Sequence, residues 1–264
     1  MVNTQTIIIT GAGSGIGRAI AQRLSKNNYP LILLGRNLDK LEETRNSLES
    51  PEKHQCISCD IRLPKDIANA LEKIKINSLY ALVANAGIGG ENCYLSNDRW
   101  NEIIDTNLTG TYNTIQECLP YLKKNKAPYK KIVILASVLA RLGVPGYSAY
   151  CASKAGLLGL NRSLAIELTQ DKILVNALCP GWVDTEMAQE GLRAFSETLN
   201  ISKEKAFEQA MNDVPLRKMS EPDEIAQFTS FLISEAQPSI TGQTLDINNG
   251  AMMPYPLQKN ITAT

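Results

Sequence analysis

The chain has a single histidine, His54, in 264 residues. A histidine-rich metal site is thereby excluded, as is any serine–histidine–aspartate triad that does not use His54. Cys56, Cys59, Cys93, Cys118, Cys151 and Cys179 are scattered without the spacing of a disulfide framework. They read as free thiols in a reducing compartment. Cys56 and Cys59 form one C-x-x-C, but no second pair accompanies it, and His54 beside it is read as a packing residue. No metal is expected. Neither sign of charge is in excess, since 27 basic residues balance 27 acidic ones. That balance offers nothing to nucleic acid or to an anionic membrane. No apolar run nears the roughly 18 residues of a membrane span. Met1-Val2-Asn3 leads directly into a strand pattern, so no signal peptide is expected and the cytoplasm is the predicted location.

What is present is organised around Tyr150-Cys151-Ala152-Ser153-Lys154, which opens an apolar helical pattern running through Leu168. Residues four apart share a helix face, so Tyr150 and Lys154 can point into one cleft. A nearby ammonium favours a phenolate. Lowering the phenol by about three pKa units takes roughly 4 kcal/mol of differential interaction. Alone, the pair is also the pattern of an ordinary surface helix, and its meaning depends on the rest of the chain.

Thr4–Thr10 is a short β-branched run, predicted as a strand buried on both faces. Gly11-Ala12-Gly13-Ser14-Gly15-Ile16-Gly17 follows, then a helix pattern from Arg18. Strand, glycine loop and helix N-terminus make an anion-binding unit suited to a pyrophosphate. The spacing is T-G-x-x-x-G-x-G from Thr10; it is neither G-x-G-x-x-G nor a P-loop, because no Gly-Lys-Ser/Thr follows. A second strand, Pro30–Gly35, ends at Arg36-Asn37 with no carboxylate at Gly35 or Asn37. An acidic residue there accepts a ribose 2′-hydroxyl, whereas an arginine accommodates a 2′-phosphate, so NADP(H) is the expected cofactor. A third strand ends at Asp60-Ile61, which are candidates to hold the adenine. A fourth ends in Asn85-Ala86-Gly87, a small-residue turn suited to close cofactor approach. Asn97-Asp98 is predicted to cap one long helix through Asn107 and Asn113 to Leu122. A fifth strand, Lys130–Ala136, carries Ser137 at its end, and a sixth, Ile173–Leu178, leads to Pro180-Gly181. Strand–helix alternation predicts an α/β chain, one domain over 1–264, with a parallel sheet covered on both faces and a seventh strand at Gln243–Ile247. The polar helical stretch of about 184–216 reads as a substrate lid, and 251–264 as a tail.

Taken together, Thr10–Gly17, Ala84–Gly87, Asn107, Ser137, Tyr150-x-x-x-Lys154 and Pro180-Gly181 resemble the short-chain dehydrogenase/reductase family, in that family's order, over about residues 4–250. Ala84 replaces the first asparagine of the family's Asn-Asn-Ala-Gly motif, and Asn248-Asn249-Gly250 stands for its terminal Asp-Gly-Gly. The resemblance implies a single-domain Rossmann fold with a doubly wound parallel seven-stranded sheet. It implies that Tyr150 gives a proton to a carbonyl as hydride arrives from the nicotinamide, and that Ser137 hydrogen-bonds the carbonyl oxygen. Lys154 would depress the phenol and bind the nicotinamide ribose, and Asn107 would hold a water linking Lys154 to solvent. The implied cofactor contacts are Gly11, Ser14, Gly15, Ile16, Gly17, Arg36, Asn37, Asp60, Ile61, Asn85, Ala86, Gly87, Tyr150, Lys154, Pro180, Gly181, Val183 and Thr185. A homotetramer is implied too, with the Trp100–Leu122 and Ser148–Leu168 helices at one interface.

The expected substrate is a 3-oxoacyl thioester, because 191–217 resembles the lid of aromatic-polyketide ketoreductases and the presumed pocket wall is apolar or aromatic. That wall comprises Leu139, Val144, Tyr147, Trp182 and Met187, next to Ser137 and Tyr150. The cluster Lys123, Lys124, Lys126, Lys130 and Lys131 could meet an acidic acyl carrier protein. A 3-hydroxybutyrate dehydrogenase ranks second, level with a sugar- or steroid-alcohol dehydrogenase. Enzymes of the first type clamp a free carboxylate with Gln, His and Lys, where this chain has Gly89, Leu139 and Tyr147. A nucleotide-binding regulatory protein without chemistry is the alternative from another class.

Overall fold

The structure, a computed structural model, describes residues 5–92 and 98–253. Cys93, Asn97 and the tail from Pro254 lie outside the described residues. Seven strands form: β1 (Ile7–Thr10), β2 (Leu31–Gly35), β3 (Gln55–Ser58), β4 (Ala81–Ala84), β5 (Lys130–Leu135), β6 (Ile173–Pro180) and β7 (Thr244–Ile247). All pairings are parallel, in the order β3-β2-β1-β4-β5-β6-β7. The expected doubly wound seven-stranded sheet is therefore what forms.

The β-branched runs become central strands because successive side chains meet two separate cores. In β1, Ile8 joins one cluster with Ile115, Leu122, Leu157 and Leu164. Ile7 and Ile9 join the other, with Ile20, Leu24, Leu41 and Ile225. Each fully buried isoleucine contributes roughly 1.5–3 kcal/mol. The first cluster is covered by helices α3 (Pro64–Lys73), α5 (Gly110–Lys124) and α6 (Ser148–Glu167), the second by α1 (Gly15–Lys26), α2 (Leu38–Asn46) and α9 (Pro222–Ile233). No helix among the described residues is long and apolar enough to cross a membrane.

The long helix expected from Asn97-Asp98 to Leu122 departs from uniformity. Asp98 Oδ1 accepts the Trp100 N–H at 3.1 Å, while Asn97 lies outside the described residues. α4 (Trp100–Ile104) then passes into a π turn, Asp105–Thr109, before α5 begins. The Gly110 N–H reaches back five residues to the Asp105 carbonyl. Gly110 also lets Ile61 pack against the turn, since a Cβ there would lie 2.8 Å from Ile61 Cγ1. Single π turns in helices frequently sit at functional sites, and this one carries Thr106 and Asn107.

The polar stretch after Asp184 forms two helices, α7 (Glu186–Leu199) and α8 (Lys203–Asn212). Thr185 and Ser202 cap them, accepting the N–H groups of Ala188 and Lys205, each at 3.3 Å. Leu192, Ala206 and Met211 are their buried anchors. His54 is a packing residue, as expected: its Nδ1 accepts the Leu31 N–H at 3.1 Å and its Nε2 donates to the Glu49 carbonyl at 2.8 Å. The described cysteines are all free. Burial pushes the Cys56 thiol up to about 11 and Cys59 up to about 12, so both are protonated at neutral pH. No metal-binding cluster occurs among the described residues.

Candidate active site

The strand order reverses between β1 and β4, and there a crevice opens at the carboxyl ends of the strands. The glycine loop forms its floor. Gly11 has φ 65°, and a Cβ on it would meet Ala86 Cα at 2.8 Å. A Cβ on Gly17 would lie 2.2 Å from the Gly11 carbonyl oxygen and 2.6 Å from Asn85 Nδ2. Backbone cannot yield at that distance, so we expect Gly17→Ala to cost about 1–3 kcal/mol of stability. A matching drop in thermal midpoint with lost nucleotide binding checks this; an unchanged midpoint would refute it.

Asn85 ties the loop down, its Nδ2 donating to the Thr10 carbonyl at 2.9 Å and the Gly11 carbonyl at 3.2 Å. Thr10 Oγ1 in turn accepts the N–H groups of Asn85 and Ala86, both at 3.0 Å. The Asn85 amide is thus a brace for the loop. Ser14 is exposed with no capping bond from its side chain, and the first turn of α1 holds no acidic residue, so its N–H groups and helix dipole face an anion unopposed. Thr185 closes over the loop: its Cγ2 lies 3.1 Å from where a Gly15 Cβ would stand. Lys40 of α2 reaches Glu186 at the start of α7, at 3.3 Å, above the same loop.

One end of the crevice is a cleft of about 130 Å³ lined by Gly11, Gly35, Arg36, Cys59–Arg62, Ala86–Ile88 and Thr106. Arg36 is exposed on it and forms no salt bridge among the described residues, though, after the Arg62 hydrogen bond, its charge helps lower the Asp60 carboxyl across the cleft. Asn37 turns the other way, its Oδ1 capping α2 by accepting the Lys40 N–H at 3.0 Å. Asp60 is engaged by Arg62, whose Nε donates to both carboxylate oxygens at 3.0 Å. The Arg62 hydrogen bond holds the Asp60 carboxyl below its ordinary range. Arg62, Ile88 and Thr106 were missed by sequence reasoning; the signal was their adjacency to Ile61, Gly87 and Asn107. Thr106 Oγ1 is buried without a hydrogen-bond partner.

At the other end, Ser137 lies just past β5 and caps a short turn, its Oγ accepting the Leu139 N–H at 3.2 Å. Ser137 stands close enough to Tyr150 to favour the phenolate, but burial dominates and raises the phenol above its usual value. The sequence-based expectation of a phenol depressed by Lys154 is therefore corrected. Lys154 Nζ sits 5.6 Å from the Tyr150 ring centroid and donates to the Leu135 carbonyl at 2.9 Å. Burial pushes this amine down to about 8, so it is still mostly protonated at neutral pH.

Asn107 faces the same point. Its Oδ1 accepts the Ile88 N–H at 2.8 Å, and its Nδ2 donates to the Ile88 carbonyl at 3.0 Å and Ser153 Oγ at 3.1 Å. The Asn107 main-chain carbonyl accepts Thr111 Oγ1 at 2.8 Å. A Cβ on Gly87 would lie 3.1 Å from Asn107 Oδ1 and 3.4 Å from Lys154 Nζ, so Gly87, Asn107 and Lys154 converge.

The apolar wall is only partly covered. Leu139, Tyr147 and Trp182 are partly buried, while Val144 and Met187 are exposed. Trp182 packs on α7 at Gly191, and Met187 Sδ lies 3.0 Å from where a Gly89 Cβ would be. Pro180, Gly181 and Val183 border the wall: the Gly181 N–H bonds the Ile247 carbonyl at 3.0 Å, and Val183 bridges to Ser220. Of the expected basic cluster, Lys124 and Lys126 are exposed and the other three lysines are buried or paired. Lys130 and Lys131 are buried at the amino end of β5, away from the crevice, and Lys123 is paired with Asp171 at 2.9 Å.

A parallel sheet with a reversal at β1/β4, a glycine loop there, and a serine, tyrosine and lysine gathered at its carboxyl edge define a nucleotide-dependent oxidoreductase. Residues 11–252 match a family model described as enoyl-(acyl carrier protein) reductase, and the chain belongs to the short-chain dehydrogenase/reductase family. A 3-oxoacyl-(acyl-carrier-protein) reductase of Rickettsia bellii is 33% identical over 94% of this chain and 97% of its own. One from Staphylococcus aureus is 31% identical over 96% of this chain and 100% of its own. Among solved structures, an actinorhodin polyketide ketoreductase variant with NADPH superposes with a TM-score of 0.88, at 30% identity, over 94% of this chain and 97% of its own. The residues present fit the family's nicotinamide dinucleotide: the uncapped N-terminus of α1 for the pyrophosphate, and the cleft lined by Arg36 and Ile61 for the adenosine end.

Proposed function

We propose that this protein is an NADPH-dependent reductase of 3-oxoacyl thioesters. The observation that carries the substrate reading is Met187 Sδ, 3.0 Å from the place of a Gly89 Cβ. With Leu139 and Tyr147 at the other two clamp positions, a methionine against Gly89 leaves no side chain there to hold a free carboxylate. It disfavours a 3-hydroxybutyrate dehydrogenase. The names of the Rickettsia and Staphylococcus relatives point the same way.

When bound, the reduced nicotinamide supplies the hydride. Tyr150 Oη gives its proton to the carbonyl oxygen, and Ser137 Oγ–H donates a second hydrogen bond to it. Two donors aimed at one oxygen stabilise the developing alkoxide. A phenol raised by burial enters this step protonated, as an acid must. Lys154, fixed by the Leu135 carbonyl, restores the proton, drawing on a water held at the Asn107 main-chain carbonyl. We propose further that the chain is one catalytic domain and assembles as a homotetramer. Exposed Trp100 and Tyr112 on α4 and α5, and Ile166 on α6, support an interface there.

Arg36 is the proposed reader of the 2′-phosphate. An exposed guanidinium at that spot, with Asp60 already engaged by Arg62, attracts a dianion and offers no acceptor to a 2′-hydroxyl. We expect Arg36→Leu to lower kcat/KM for NADPH by about tenfold or more, the loss of a charge-assisted hydrogen bond of roughly 1.5–3 kcal/mol, with NADH little changed. Steady-state rates with both cofactors decide. A wild type preferring NADH would overturn the cofactor reading.

A further inference from the structure

Helix α6 carries Tyr150 in its first turn, where the N–H groups find no partner within the helix. Tyr147 stands at the cap position, and its side chain makes no capping bond. The cap comes instead from another element. Asn92, in the loop that follows β4, is 3% exposed. Its Oδ1 accepts the Ala149 N–H at 2.9 Å and the Ser148 hydroxyl at 3.2 Å. The first of these is the bond that an N-cap asparagine makes to the second residue of its own helix. Asn92 Nδ2 donates to Asp98 Oδ1 at 3.3 Å, and a carboxylate only accepts, so both ends of the amide are fixed. The Asn92 N–H also donates to the Gly146 carbonyl at 2.8 Å, where the chain turns at φ 78° toward α6. Asn92 thus holds the Gly146 turn and the first turn of α6 together.

We infer that Asn92 is a positioning residue for proton transfer, its amide fixing the first turn of α6 so that Tyr150 Oη meets the substrate carbonyl. This rests on the reading of Tyr150 as the acid. Lys154 lies one turn deeper and is held by the Leu135 carbonyl, so it does not depend on the cap. The glycine loop and Arg36 lie at the other end of the crevice, so dinucleotide binding does not depend on it either. Loss of the Asn92 amide therefore reaches the chemical step and spares the cofactor. A displacement of about 1 Å at a reacting group can cost about 10²-fold in rate.

Asn92→Leu keeps the side-chain volume and removes its polar bonds, while the main-chain bond to Gly146 stays. In an exchanged pair, Asn92→Asp with Asp98→Asn, the acceptor for Ala149 returns and the bond between positions 92 and 98 reverses direction. The test measures kcat with NADPH and acetoacetyl-CoA, acetoacetate or a simple ketone, whichever wild type reduces fastest. NADPH affinity by calorimetry and the thermal midpoint are measured beside it. For Asn92→Leu the expected result is about 10- to 100-fold lower kcat, with NADPH affinity within about twofold of wild type. The midpoint should fall by about 2–4 °C, the loss of one helix cap. The exchanged pair should recover most of kcat. Unchanged kcat in Asn92→Leu overturns the inference while leaving the reading of Tyr150 standing. So does NADPH binding that weakens in step with kcat, or a kcat that the exchanged pair does not restore, since either marks a general structural role. If Asn92→Leu does not fold, Asn92→Ala is judged by the same outcomes, and failure of both to fold overturns the inference as well. Wild type that reduces none of the three carbonyls overturns the inference and the reading of the site together.

Discussion

Tyr150→Phe is expected to lower kcat for carbonyl reduction by about 10²- to 10⁴-fold, the range of a positioned general acid. The ring stays, so its packing beside Lys154 is kept; only Oη and its proton go. Binding of NADPH, followed by its fluorescence, should be retained, because the glycine loop and Arg36 lie at the other end of the crevice. This pair of readouts separates an enzyme from a nucleotide-binding regulator that has kept the fold. Full turnover in Tyr150→Phe would remove the tyrosine from the chemistry.

Lys154→Met should be comparably damaging to turnover, about 10²-fold or more, yet should not weaken the fold. Lys154 is 5% exposed, and its ammonium has one hydrogen bond, to the Leu135 carbonyl. Replacing an under-solvated charge by an apolar side chain of similar volume is often neutral or stabilising. The pH dependence follows from its depressed pKa, about 8 against an ordinary 10.5. Between those values the unfolded chain binds more protons than the folded one, so this group makes wild-type stability rise with pH across that window. Below pH 8 the cost of burying the charge is fully present. Chemical denaturation should therefore favour Lys154→Met most near pH 7, with the advantage fading above pH 10. For wild type, kcat/KM for reduction should be level below about pH 8 and fall above it, as the amine loses the proton it passes to Tyr150. A large loss of stability in Lys154→Met at pH 7 would contradict this account.

The strands were legible because β-branched runs such as Ile7–Ile9 and Ile132–Ile134 admit few other fates in a chain of this size. The glycine spacing was legible for a harder reason: at Gly17 no other residue fits beneath the Gly11 carbonyl. Spacing could not show the π turn at Asp105–Thr109, since five helical residues look alike whether their bonds span four positions or five. Nor could it assign side chains with two eligible partners. Asn37 and Asn85 sit where a cofactor passes, yet their side chains cap α2 and brace the loop. The phenol of Tyr150 was misjudged because a sequence gives the ammonium's position and not the depth at which both groups lie. The lysine cluster was legible only in part, because Lys130 and Lys131 belong to a buried strand while Lys124 and Lys126 stay exposed.

The most direct test of the central claim is the rate of NADPH oxidation with wild-type protein and acetoacetyl-CoA or a carrier-linked 3-oxoacyl thioester. Acetoacetate, a simple ketone and an unsaturated acyl thioester are compared in parallel. The account predicts turnover with the 3-oxoacyl thioesters, kcat/KM well above that for free acetoacetate, and none with the unsaturated thioester. Preference for acetoacetate with NADH, or reduction of the unsaturated thioester alone, would contradict it.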